Sequence, residues 1–335
     1  MMTTSRFAEV YGGAGRVSVP DSPEIQVLEA LADGEAEKVL SFFEEEKQFG
    51  GRSAVDTAHG RYEGLAGIRS FVEEWPKAFS EEGEKITGMG VEIVTQTRAG
   101  TRSALEFVFH FMTEDGKEKM IPMAGVCDLR DGLTKIDELR LYVHPRFVKG
   151  YPMYRHPIFP ESNGTYEIRT EMTSGVMPKY FKTVHEIGMA HIPDMMTRTE
   201  DVTFGAYNPA DEIRVVKQED FQKMLAAQAA AREEKKAKDE FDPTSFALEK
   251  YVKLRMETII DDGKICCVEW EQLVTKAGRE ERYRLSEPGI SFYERAKDGW
   301  LKSVRIIDYA YTERDINWEK TATPKEEAER INYLG

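Results

Sequence analysis

One order of elements occurs twice along this chain, and it constrains the fold more than any compositional value does. Residues 24–46 (EIQVLEALADGEAEKVLSFFEEE) set Val27, Leu28, Leu31, Val39, Leu40 and Phe43 at helical spacings, and Asp33-Gly34 splits the run into two helices. A third helix is predicted over 64–79, where Ile68, Phe71, Val72, Trp75 and Phe79 repeat with the same period. From residue 84 the period falls to two. VEIVTQT, SALEFVFHFMT, MIPMAGVCDLR and LTKIDELRLYV read as four antiparallel strands, with EDGK and RDG as turns.

The second half repeats the order. Residues 175–198 read as the helical opening and 217–238 as the counterpart of the third helix, lengthened by a solvated, charged end. The strands ALEKYVKLRMETII, ICCVEWEQLVT, EERYRLSEPGISFYER and WLKSVRIIDYAY follow, separated by DDGK, KAGR and KDG. Helices segregated from a strand meander imply α+β layers, with helices covering one face of a curved, mostly antiparallel sheet.

A chain of 335 residues exceeds the size at which one core stops growing. The expected organisation is a tail over 1–22, a first domain over 23–147 and a second over 177–318, with a C-terminal tail over 319–335. The segment 148–176 between them is rich in Pro, Gly and aromatics; its prolines favour an extended linker, while Tyr151, Tyr154 and Phe159, with Phe147 before them, suggest that it packs across a domain surface.

A formal charge of −14 argues against nucleic acid as a partner, because phosphate binding needs clustered Lys and Arg. No apolar run reaches the ~20 residues of a membrane span, and the N-terminus lacks the apolar stretch of a secretion signal. A cytoplasmic protein is expected. Its cysteines are Cys127, Cys266 and Cys267, too few and too badly spaced for a disulfide framework or a zinc cage. HEIGMAH sets its histidines six apart and not four, so they miss the shared helix face of a zinc pair. GGAGR lacks the strand and lysine of a phosphate loop. Neither a metal nor a cofactor is expected.

AVDTAHGRYEGLAGIRSFVEEW (54–75) resembles the motif of SnoaL-like, ketosteroid-isomerase-like and nuclear-transport-factor-two-like proteins, where an acidic segment and a glycine lead into a helix of the form G-x-x-x-I-x-x-F. KIDELRLYV resembles the last strand of that superfamily. The resemblance implies two tandem cone-shaped α+β domains (cystatin-like rolls), each able to hold a small, largely apolar organic ligand. Because single-copy relatives dimerise through their sheets, it also implies an intrachain pseudo-dimer or a homodimer. Members include isomerases, dehydratases, cyclases and proteins without known catalysis, so fold alone leaves function open.

Asp56 falls where the isomerases carry a general-base aspartate, with His59 and Tyr62 beside it; the alternative for Asp56 is an exposed turn residue. Cys127 falls at the position of their oxyanion-stabilising acid, where a thiol donates only weakly, and a small core residue is the alternative. Leu105, Phe107, Phe109 and Phe111 share one strand face, with Glu106 and His110 on the other. Phe107, Phe109 and Tyr142 are the expected pocket residues of the first domain, and Trp75 reads as a core residue with pocket lining as the alternative. In the second, Tyr207 and Asn208 occupy the region corresponding to Asp56, so the carboxylate is absent unless Asp211 or Asp201 substitutes, and Asp308 is an interior-acid candidate; Glu269 and Glu271 are either pocket acids or lie outward with Val268 and Trp270 as the buried set. The reading as a whole is a cofactor-independent proton-transfer enzyme of lyase, isomerase or cyclase type. The alternative is a non-catalytic ligand-binding or structural protein.

Overall fold

The computed structural model describes residues 19–57, 60–81, 83–143, 175–186, 189–206, 214–237, 254–275, 283–308 and 323–324. These fall into two compact units, the first carrying residues 19–143 with the end of the last long strand, residues 307–308, and the second the other described residues, from 175 to 306 and 323–324.

In the first unit, α1 (Pro23–Ala32) begins with proline in its first turn, where a missing N–H is harmless. Gly34, at φ +71°, turns the chain into α2 (Ala36–Ser41). Strands β1 (Ala54–Thr57) and β2 (Gly60–Glu63) form a hairpin, and α3 (Gly64–Ala78) follows at once. The long strands β3 (Ile86–Ala99), β4 (Arg102–Thr113) and β5 (Glu118–Leu129) lead to β6 (Ile136–Val143).

The sheet order is β2-β1-β6-β5-β4-β3, with β1 parallel to β6 and every other pair antiparallel. Register shifts between Ile93 and Thr95 and between Asp128 and Leu129 interrupt the ladder, and such bulges bend long strands. Ile68, Phe71, Val72 and Trp75 of α3 are buried, as are Leu105, Phe107, Phe109 and Phe111 of β4. This is the α+β arrangement that the helix and strand periods imply.

Periodicity anticipated four strands where the unit has six. The two missing ones are the β1–β2 hairpin, whose strands have only four residues each, and β1 is buried at every position, so it shows no alternation.

The second unit opens with α4 (Val176–Glu186) and a 3-10 helix over Met189–Met195. Strands β7 (Val202–Ala206) and β8 (Arg214–Val216) precede α5 (Gln218–Ala237). Then come β9 (Leu254–Asp261), β10 (Ile265–Thr275), β11 (Tyr283–Arg295), β12 (Leu301–Asp308) and the two-residue β13 (Thr323–Pro324). Its sheet order, β8-β7-β12-β11-β10-β9 with β13 on β11, matches that of the first sheet strand for strand, including one parallel pair, β7 with β12. Met177, Tyr180, Phe181, Phe221, Val268, Tyr293, Leu301 and Val304 form its core.

Candidate functional site

The site begins with two glycines in the segment EGLAG. Gly64 has φ +67°, and a Cβ there would meet the Glu45 carboxylate at 2.7 Å. That carboxylate accepts the Leu65 N–H at 3.0 Å, which satisfies an otherwise unpaired donor of the first helical turn. Gly67 lies so close to β2 that a Cβ would stand 3.1 Å from the carbonyl carbon of Tyr62. The two glycines thus seat α3 directly against the hairpin.

A cavity of about 390 Å³ opens beside this junction, lined by Thr57, Tyr62, Phe71, Glu74, Trp75, Lys77 and Ala78. That volume suits a small organic molecule. Phe71, Glu74, Trp75 and Ala78 recur at the three- and four-residue spacings of one helix face. The aromatic wall is continuous: Tyr62 and Phe71 ring centroids are 5.6 Å apart, and those of Phe71 and Trp75 are 5.2 Å apart.

One polar feature marks the cavity, and a second lies buried behind its wall. Tyr62 donates its hydroxyl to Glu74 Oε2 at 2.9 Å. Burial, followed by the carboxylate beside it, pushes the Tyr62 phenol up to about 12, so it is a neutral donor at ordinary pH. The indole of Trp75 is only 4% exposed, and its Nε1 has no hydrogen-bond partner.

Behind Trp75 the interior is filled. Its ring meets Phe79 at 4.8 Å and Phe109 at 5.5 Å, and Phe109 continues to Phe107 and Phe111 at 5.8 and 5.7 Å. Phe107, Phe109 and Cys127, expected to line a pocket, are all buried in this packing and do not line the cavity. Burial also pushes the Cys127 thiol up, as it does for a small core residue. Tyr142 is buried on the face of β6 that also carries Glu138 and Arg140, away from Leu141.

The hairpin register decides where Asp56 points. Val55 pairs with Tyr62 and Asp56 with Arg61, so Asp56 and Tyr62 lie on opposite faces of the β1–β2 ribbon. Tyr62 lines the cavity. Asp56 is buried on the other face, 3.5 Å from the Arg61 guanidinium. Arg61 also reaches Glu138 at 3.0 Å, and Arg140 bridges Glu138 at 3.4 Å and Asp128 at 2.6 Å. Asp56 therefore belongs to a network of ion pairs and is absent from the cavity wall.

Of the other expected residues, His59, Tyr207 and Asn208 lie outside the described residues, as do the side chains of Glu271 and Asp308. Glu106 is fully buried on the face of β4 opposite Phe107, and it is engaged there. His110 sits between Glu118 at 2.8 Å and Glu92 at 3.6 Å. In the second unit, Val268 faces the core with Trp270 packed against it, and Glu269 takes the opposite face but is buried. Among the described residues, no group of three or more His, Cys, Asp or Glu could hold a metal ion. No helix among them is long and apolar enough to cross a membrane.

No protein-family model and no curated protein matches the chain. Solved structures do. A ketosteroid-isomerase-like protein from Catenulispora acidiphila DSM 44928, in complex with trimethylamine, is 16% identical over 37% of this chain and 86% of its own, with a TM-score of 0.30. An NTF2-like protein of unknown function from Burkholderia pseudomallei K96243 is 11% identical over 38% of this chain and 95% of its own, at a TM-score of 0.30. A SnoaL-like protein from Shewanella putrefaciens CN-32 is 12% identical over 44% of this chain and 92% of its own, at a TM-score of 0.32.

Proposed function

We propose that the first unit of this nuclear-transport-factor-two-like chain binds a small, largely apolar organic molecule in the cavity between β2 and α3. One observation carries the reading: a cavity of about 390 Å³ is walled by the touching aromatic rings of Tyr62, Phe71 and Trp75. A ligand there rests its apolar part on Phe71, Tyr62 and the Trp75 ring. The deeper aromatic packing then serves as a rigid floor.

Native mass spectrometry of protein isolated from its own host tests this. An adduct is expected on the wild type and a depleted one on Trp75→Phe. Wild-type protein that is bare under conditions preserving its fold, and that takes up no member of a panel of bicyclic aromatics, overturns the reading.

The hydrogen bond between Tyr62 and Glu74 supports a second reading, in which the bound molecule undergoes proton transfer. Glu74 would accept the proton and the neutral Tyr62 phenol would stabilise the charge that develops. Asp56 holds Arg61 in this scheme and does not touch the ligand. Turnover lost in Glu74→Gln and kept in Asp56→Asn supports it, whereas the reverse pattern returns the base to Asp56.

A further inference from the structure

The carboxylate on the cavity wall has no cation of its own. Glu74 accepts the Tyr62 hydroxyl through Oε2 and makes no ion pair among the described residues, although Lys77, one turn further along α3, lines the same cavity. That hydrogen bond holds the carboxylate at the edge of the aromatic wall. Within the wall Tyr62 and Phe71 are tilted by 56° and Phe71 and Trp75 by 57°, so the rings form facets and do not stack on one another. Aromatic faces carry negative potential. A molecule resting there therefore meets aromatic rings and a formal negative charge side by side.

From this we propose that the ligand is an organic cation, a tertiary or quaternary amine with an apolar body, whose ammonium group sits beside the Glu74 carboxylate and against the rings of Tyr62 and Phe71. The proposal rests on the cavity being a ligand site. An alkylated ammonium suits the wall because its charge is spread over an apolar shell that stays in contact with the rings. Net charge acts in the same direction, since −14 overall attracts cations at long range. Lys77 opposes it, but its side chain is exposed, so its ammonium can turn into water and be screened there. Glu74 is exposed as well, and each contact at such a position is worth only about threefold in affinity.

Titration calorimetry of the full chain with probes that share one ring system and differ in charge tests this: trimethyl(2-naphthylmethyl)ammonium, methyl 2-naphthoate and 2-naphthoate. The ammonium is expected to bind about tenfold more tightly than the ester, and the naphthoate more weakly than the ester. Glu74→Gln, which keeps an acceptor for Tyr62, should narrow the ammonium's advantage by about threefold and leave ester affinity unchanged. Lys77→Met should act in the opposite sense and strengthen ammonium binding by about twofold, because a like charge is removed. An ester or a naphthoate that binds as tightly as the ammonium overturns the proposal while leaving the cavity a ligand site. An ammonium preference that Glu74→Gln leaves intact overturns it too, because the preference then comes from the overall charge of the chain. If none of the probes binds, both readings fail.

Discussion

Asp56 and Tyr62 sit on opposite faces of one hairpin, because Asp56 pairs with Arg61 and Tyr62 with Val55. Six residues apart in sequence, they cannot act on the same side of a bound molecule. Tyr62 faces the cavity with Glu74, and Asp56 faces an ionic network with Glu138 at its centre.

Tyr62 should titrate late. Burial and the Glu74 carboxylate hold its phenol near 12, above the usual value near 10. The alkaline absorbance difference between wild type and Tyr62→Phe is expected to show one phenol ionising near 12. A difference spectrum centred near 10 would show that the Tyr62–Glu74 bond does not persist in solution.

Glu138 should make the first unit acid-sensitive. Burial pushes its carboxyl up, but Arg61, Arg140 and Lys47 together outweigh burial and hold it at about 2, below the ordinary 4.5. A depressed folded-state value means that the stabilisation is complete above about 4.5 and is lost as pH falls from there toward about 2. Glu138→Gln should destabilise the fold at neutral pH by about 3 kcal/mol. It should also flatten the acid limb of the stability curve in that window. An unchanged limb, measured by denaturant melts at several pH values, would place the acid sensitivity elsewhere.

Gly289 is required by Trp270. A Cβ at Gly289 would stand 2.1 Å from Trp270 Cζ2, on an indole whose N–H donates to Ser291 Oγ at 2.8 Å. Gly289→Ala is expected to destabilise the second unit by about 1–3 kcal/mol through overpacking. Added to Trp270→Leu it should have little further effect, because the clash partner is gone. Additive losses in denaturant melts would mean that the glycine serves another purpose.

The long elements were legible because they are long. The fifteen residues of α3 and the twelve of β4 carry enough repeats to show their period and their buried face, and Phe107 and Phe109 fall on the core side as the alternation implies. The β1–β2 hairpin was not legible, since four buried residues in a row have no period. That gap misdirected the site. Asp56 and Tyr62 read as neighbours in a loop, and only the hairpin register separates them by face. Glu74 and Lys77 went unnoticed because charges on an amphipathic helix ordinarily face solvent. The available signal was Gly67, whose missing side chain brings α3 within reach of Tyr62 and so places that helix face on a cavity.

A molecule bound in the cavity rests against the Trp75 indole. The chain has four tryptophans, and Trp75→Phe identifies which of the four indole resonances in a ¹⁵N-correlated spectrum belongs to Trp75. On addition of 2-naphthoate or its methyl ester, that resonance is expected to shift through the ring current of the bound molecule while those of Trp270 and Trp300 stay in place. A Trp75 resonance that holds its position at saturating concentrations of both probes would contradict the account.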